Sequence, residues 1–180
     1  MVFHETTLSR KEIFKGKIIN VHVDKIRTKD GGESFREIVE HPGGVAVVAL
    51  VNGKMVLVKQ FRKAADQVLL EIPAGKIEKG ESPEKTAVRE LKEETGYTAT
   101  RIKHLFTFYS SPGFSSEKIY LYLAENLISG DAEPDENEHV EMVQYDIDTL
   151  LKMIEKGEII DGKTIVAIQV VYNLKMNNEL

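Results

Sequence analysis

Residues 75–97 read GKIEKGESPEKTAVRELKEETGY, and the reading of this stretch decides the fold. Its second half carries local signals for a helix. Ser82 is a good N-cap, Pro83 suits the first helical position and Gly96 permits a left-handed C-cap, which predicts a helix over 83–95. At about 100° per residue, Glu84, Ala87, Val88, Leu91 and Thr95 share one arc suited to packing, while Glu90, Glu93 and Glu94 cluster on another. Like charges at such spacings cost a helix a few tenths of a kcal/mol per pair, and the C-terminal end of the macrodipole disfavours them further. A charge run of this kind ordinarily marks a solvated face. A hard divalent cation, Mg²⁺ or Mn²⁺, would relieve both penalties, because it takes oxygen ligands and bridges carboxylates to phosphates.

Upstream, residues 4–40 carry β-branched and alternating segments broken by the turn Lys29-Asp30-Gly31-Gly32, which predicts three strands ending in a hairpin. Val45–Val51 and Met55–Val58 flank Asn52-Gly53, the pair that supplies the positive φ values of a type I′ turn, and the second strand runs on to Arg62. Downstream, strands are predicted at 101–109 and 118–124, then an acidic loop at 130–138, a strand at 140–146 and helices near 147–156 and 163–175. In the last helix Ile165, Ile168, Gln169 and Tyr172 lie along one side. Strands outnumber helices and helices flank them, so the expected class is α+β with a mixed sheet.

The chain has 180 residues, enough for one main domain with a short appended element. A hydrophobic fraction of 42% with 29% charged residues excludes wholesale disorder. Lys and Arg number 24 against 29 Asp and Glu, a net charge of −5 that argues against non-specific adhesion to nucleic acid or anionic lipid. A phosphorylated small molecule would then have to meet a local cation cluster or a bound metal. With no cysteine there is no disulfide, thiolate nucleophile or cysteine zinc site. Residues 1–10 lack an apolar h-region and the longest apolar run is Val45–Val51, so a soluble cytoplasmic protein is expected, with neither membrane nor nucleic acid as partner.

The opening stretch resembles the Nudix box, G-x5-E-x7-R-E-U-x-E-E-x-G-U, with U an aliphatic residue. Gly75, Glu81, Arg89, Glu90, Glu93, Glu94 and Gly96 occupy its fixed positions and Leu91 the first U; Tyr97 at the last U is the one departure. The strand–loop–helix context is the one this motif requires. The resemblance implies an α/β/α sandwich around a mixed sheet, spanning 41–180, behind an N-terminal antiparallel β-strand element at 1–40. It implies hydrolysis of a nucleoside diphosphate linked to another moiety. Glu90 and Glu94 correspond to the principal metal ligands and act in catalysis, Glu93 is a further ligand, and the Ala74 carbonyl is the equivalent of a backbone ligand. Arg89 and Glu81 correspond to a buttressing pair.

Outside the box, Ser111-Pro112-Gly113 with Glu117 is similar to the ADP-ribose pyrophosphatase branch, although Ser-Pro-Gly is also an ordinary turn signal. The resemblance puts Ser111, Pro112, Gly113 and Glu117 against the substrate. The acidic loop fails as an EF-hand for want of the spaced ligands; in this branch its Glu136 corresponds to the base that activates water and Glu138 to an extra metal contact. Arg36, Glu37 and Arg62 are similar to family contacts with the substrate. The five histidines show no paired spacing, and only His41 could border a pocket. The expected activity is Mg²⁺-dependent hydrolysis of ADP-ribose to AMP and ribose 5-phosphate, with Mn²⁺ able to substitute. Other nucleoside diphosphate sugars or dinucleoside polyphosphates are the alternative substrates, and a non-catalytic nucleotide sensor is the alternative class. Exposed strand edges in 1–40 point to a homodimer that swaps this element, with Arg36 and Glu37 acting in trans.

Overall fold

In the computed structural model, which describes residues 4–133 and 139–179, the elements run β1 (Thr6–Lys15), β2 (Asn20–Arg27), β3 (Glu33–Glu40), β4 (Gly44–Val51), β5 (Lys54–Arg62), β6 (Gln67–Glu71), β7 (Ala74–Lys76), α1 (Pro83–Thr95), β8 (Thr98–Tyr109), β9 (Lys118–Ile128), β10 (Val140–Tyr145), α2 (Ile147–Glu155) and α3 (Gly162–Met176). They divide into two units, Met1–Gly43 with Tyr109–Lys118, and Gly44–Phe108 with Ile119–Leu180.

The first unit is an antiparallel sheet in the order β1-β2-β3. Arg10 stitches β1 to β2 by a fork onto the buried Asp24 carboxylate, Nε at 2.8 Å and Nη2 at 3.0 Å. Arg10 is the leading reason that this carboxyl titrates below its ordinary value, against the opposing effect of burial. The segment 109–118 joins β3 rather than standing as a free turn: Val39 N–H donates to Phe114 O at 2.8 Å and Val39 O accepts from Ser116 N–H at 2.9 Å.

The second unit follows from the apolar run in β4. A strand with apolar residues at every position can be buried on both faces, and alternate residues here enter two different cores. Ala46 and Val48 pack with Met55, Leu57, Leu150, Ile168 and Val171, on the side of α2 and α3. Val45, Val47 and Ala49 pack with Val56, Ala87 and Leu91, on the side of α1. The sheet order is β10-β5-β4-β9-β8, with β6 on β5 and β7 on β4. The β4–β9 ladder is parallel and the β4–β5, β4–β7, β5–β6 and β5–β10 ladders antiparallel, so the sheet is mixed as expected. Asn52 and Gly53 take φ values of 51° and 76°, as the hairpin turn demands.

Several expectations need correction. Strands β6 and β7 were not foreseen, and β8 and β9 begin earlier or run longer than predicted. Glu84, placed on the packing arc of α1, is exposed, while Glu90 and Glu94 are only 9% and 5% exposed because β7 lies against that side of the helix. In α3 the buried stripe is Thr164, Ala167, Ile168 and Val171, not one containing Gln169, which is exposed. Thr164 enters that stripe because its hydroxyl is fully hydrogen-bonded there. No helix among the described residues is long and apolar enough to cross a membrane.

Candidate active site

Helix α1 is built as its caps predict. The Ser82 hydroxyl accepts from Lys85 N–H at 3.4 Å, Pro83 opens the helix, and Gly96, at φ 74°, sends its N–H to Lys92 O at 2.8 Å. These caps fix where the helix begins and ends, and the packing of Ala87 and Leu91 in the core fixes the face on which Glu90, Glu93 and Glu94 project.

The neighbouring strand leaves no room for a side chain at Gly75. A Cβ there would lie 1.9 Å from Glu90 Cδ, so the Glu90 carboxylate rests on bare backbone. One residue earlier, Ala74 N–H donates to Glu94 Oε2 at 3.0 Å. Ala74 and Gly75 themselves are held in register by β4, opposite Ala46 and Val45.

Arg89 sits at the centre of the carboxylates. Its Nε and Nη2 reach the two oxygens of Glu81 at 3.1 and 3.0 Å, and Nη1 reaches Glu90 and Glu93 at 2.8 Å each. The bond to Glu81, followed by Glu90 and Glu93, raises the guanidinium above its ordinary pKa despite partial burial. The same bond, with one from Thr86 at 2.8 Å, holds the Glu81 carboxyl below its usual range. Three carboxylates thus share one guanidinium, leaving two negative charges over. Hard oxygen donors carrying that surplus match a divalent cation in both chemistry and charge. Among the described residues, no three carboxylate or histidine side chains converge on a common point as they stand; the α1 carboxylates are drawn to Arg89 and to the Ala74 amide instead.

The loop that follows is anchored at its start. Glu133 N–H donates to Glu93 O at 3.1 Å, its carboxylate meets Lys92 Nζ at 3.2 Å, and Gly96 is so close to Gly130 that a Cβ would lie 2.4 Å from Gly130 O. Glu136 and Glu138, expected as base and extra metal contact, lie outside the described residues.

Arg62 lies in the same unit as the box, but it is engaged. Its Nε and Nη2 form a fork onto Glu71 at 2.7 and 2.8 Å. Glu71, 1% exposed, also receives Lys163 Nζ. Burial pushes the Glu71 carboxyl up, yet Arg62 and Lys163 together bring it below its ordinary value. Arg62 is raised in return, first by Glu71 and also by the charges of Glu94 and Asp161. Sequence reasoning passed over Glu71, Asp161, Lys163 and Thr164. The available signal was a carboxylate set inside the apolar run Val68–Pro73.

The remaining expected contacts fall in the first unit. Arg36 donates Nε to Glu5 Oε2 at 3.0 Å and Nη2 to Glu5 Oε1. Glu37, the next residue along β3, points to the opposite face of that sheet, so the two side chains do not share a face. Ser111 O accepts from Phe114 and Ser115 N–H at 3.2 and 2.9 Å, which folds Pro112 and Gly113 into an exposed turn. Glu117 accepts from the Ser110 hydroxyl at 2.6 Å and lies 3.4 Å from His41 Nδ1.

Two family models match adjoining parts of the chain: the NUDIX domain over residues 40–166, and the nucleoside diphosphate sugar hydrolase N-terminal domain over residues 5–39. Among curated proteins, the chain is 48% identical to an ADP-ribose pyrophosphatase of Bacillus subtilis, over 92% of this chain and 91% of that one. It is 44% identical to a methanol dehydrogenase activator of Bacillus methanolicus, over 93% and 92%. Among solved structures, an ADP compounds hydrolase superimposes with a TM-score of 0.85 at 22% identity, covering 98% of this chain and 97% of that one, a likeness of fold.

Proposed function

The chain belongs to the Nudix family, and on that premise we propose that it is a pyrophosphohydrolase that cleaves the diphosphate of ADP-ribose with water to give AMP and ribose 5-phosphate. The observation that carries the chemistry is the set of α1 carboxylates seated against bare backbone at Gly75 and sharing one guanidinium. The choice of ADP-ribose is supported by the Bacillus subtilis relative.

Glu90 and Glu94, with Glu93 and the Ala74 carbonyl, are the residues that would hold Mg²⁺, or Mn²⁺ in its place, and Glu138 would add a contact. A divalent cation, when bound, supplies charge neutralisation to the diphosphate and makes water a better acid. Glu136 takes the proton from the attacking water. Glu81 and Arg89 brace the loop against α1. Arg62, Ser111, Pro112, Gly113, Glu117, Arg36 and Glu37 form the substrate contacts, and the reaction is cytoplasmic.

Residues 1–40 serve as a dimerisation element exchanged between two copies, ahead of a Nudix domain at 41–180. In support, every residue of β1 is exposed, and Ile13, Phe14 and Phe35 are each more than half exposed. A mixture of Glu94→Gln and Arg36→Ala subunits should then recover activity that neither has alone.

A second reading, other nucleoside diphosphate sugars as substrates, is favoured by the family match over residues 5–39. Incubation with ADP-ribose and Mg²⁺ followed by product chromatography tests the assignment. AMP and ribose 5-phosphate are expected; turnover of a nucleoside diphosphate sugar in preference would establish the second reading, and no turnover of either would leave a nucleotide sensor.

A further inference from the structure

Between β6 and β7 the chain passes the N-terminus of α3, and two side chains of that helix take hold of it. Lys163 Nζ donates to Glu71, and Thr164 Oγ1 accepts from Ile72 N–H at 2.9 Å. The single proton of the Thr164 hydroxyl goes to Asp161 Oδ2 at 2.6 Å, where Thr164 N–H and Lys163 Nζ also donate at 3.0 Å each. A directed chain therefore runs from the Ile72 amide through a hydroxyl to a carboxylate, and each link polarises the next. Thr164 is wholly buried and Glu71 nearly so.

The next two residues have assigned partners as well. Pro73 O accepts from Val47 N–H at 2.8 Å, and Ala74 N–H reaches Glu94 at 3.0 Å. Pro73 has its φ locked by its ring. With a partner for each residue from 71 to 74, little slack remains through which a shift at Ile72 could be absorbed before Ala74.

We infer that Asp161, Lys163 and Thr164 are positioning residues: through Glu71 and Ile72 they set the Ala74 backbone against Glu94, and so set the affinity of the α1 carboxylates for a divalent cation. The metal clause rests on the proposed function; the placement of Ala74 does not.

Thr164→Val keeps the side-chain shape and removes both hydroxyl bonds, whereas Thr164→Ser keeps the hydroxyl. Three readings compare them with wild type: the Ala74 amide resonance and its hydrogen-exchange protection without metal, Mn²⁺ binding by the spin resonance of free Mn²⁺, and kcat and KM for ADP-ribose. In Thr164→Val the Ala74 amide should shift and lose protection, and Mn²⁺ should bind about tenfold more weakly. KM for ADP-ribose at saturating metal should stay within about twofold of wild type, and Thr164→Ser should restore the amide and Mn²⁺ readings. A purely structural role would lower thermal stability and leave amide and metal affinity where they were; that result overturns the inference. A wild type that binds no Mn²⁺ overturns the proposed metal centre instead, and the amide reading still decides the placement of Ala74. If Thr164→Val does not fold, Lys163→Met, which keeps the aliphatic stem, is judged by the same readings.

Discussion

Replacing Gly75 by alanine separates the stability of this site from its chemistry. The new Cβ would lie 1.9 Å from Glu90 Cδ and 2.0 and 2.3 Å from its two oxygens, where ordinary contact begins at 3.4 Å, so the carboxylate must retreat by about 1.5 Å. Glu90 is the far end of a flexible side chain, and the retreat costs an off-rotamer torsion of about 0.5–1.5 kcal/mol. For a chain of this size that lowers Tm by roughly 1–6 °C. The retreat also pulls Glu90 away from Arg89 Nη1, now at 2.8 Å. If Glu90 holds the metal, a displacement above 1 Å should lower kcat on the order of 100-fold. A thermal melt and a steady-state assay with ADP-ribose and Mg²⁺ measure both on one preparation. A variant whose kcat stays within about threefold of wild type would show that Glu90 need not occupy this place. A fall in Tm beyond about 15 °C would show that Gly75 is demanded by the strand and not by the carboxylate.

Glu94→Gln keeps the acceptor for the Ala74 amide and removes a charge, so kcat should fall by about 100-fold or more with Tm nearly unchanged; near-normal kcat at saturating Mg²⁺ would remove Glu94 from the ligand set. Glu136→Gln should lower kcat with little effect on metal affinity, while Glu138→Gln should raise the metal requirement more than it slows the reaction, and the reverse result in a metal titration would exchange their roles. Glu71→Gln leaves Arg62 and Lys163 facing a neutral side chain and should cost about 3 kcal/mol at pH 7. Because the folded Glu71 carboxyl titrates below its unfolded value of about 4.3, that contribution is complete above the unfolded value and disappears as pH falls through the folded one. The stabilities of the two proteins in urea should therefore begin to converge as pH falls below the unfolded value and meet below the folded one, and a gap that stays constant with pH would contradict the assignment.

What could be read from the sequence was whatever its local chemistry determines. The span 83–95 was legible because Ser82, Pro83 and Gly96 cap it within its own length, and the turn at Asn52-Gly53 because positive φ is a property of those two residues. The box was legible because its carboxylates are spaced along one helix. Strands β6 and β7 were not: Glu71 and Pro73 interrupt the apolar pattern, and Glu71 is tolerated in the interior because Arg62 and Lys163, the latter 92 residues away, both come to meet it. The shift of the buried stripe of α3 to Thr164 has the same origin, since a threonine counts as a core residue only when a distant amide, that of Ile72, satisfies it. Arg62 could be recognised as a useful cation, but not that Glu71 already holds it by two bonds.

The way the acidic loop is moored has a consequence for how this enzyme could be altered. At one end Glu133 is tied to the last turn of α1, and at the other Val140 enters a ladder opposite Gln60 of β5. Each post is held by backbone hydrogen bonds of its own, so an exchange of residues 134–138 that keeps both posts leaves those bonds in place. Grafting the corresponding segment from a relative of different substrate preference, with residues 130–133 and Gly96 left as they are, would test the proposed role of Glu136 as proton acceptor while both posts stay in place. The tight fit between Gly96 and Gly130 marks where such a graft must stop.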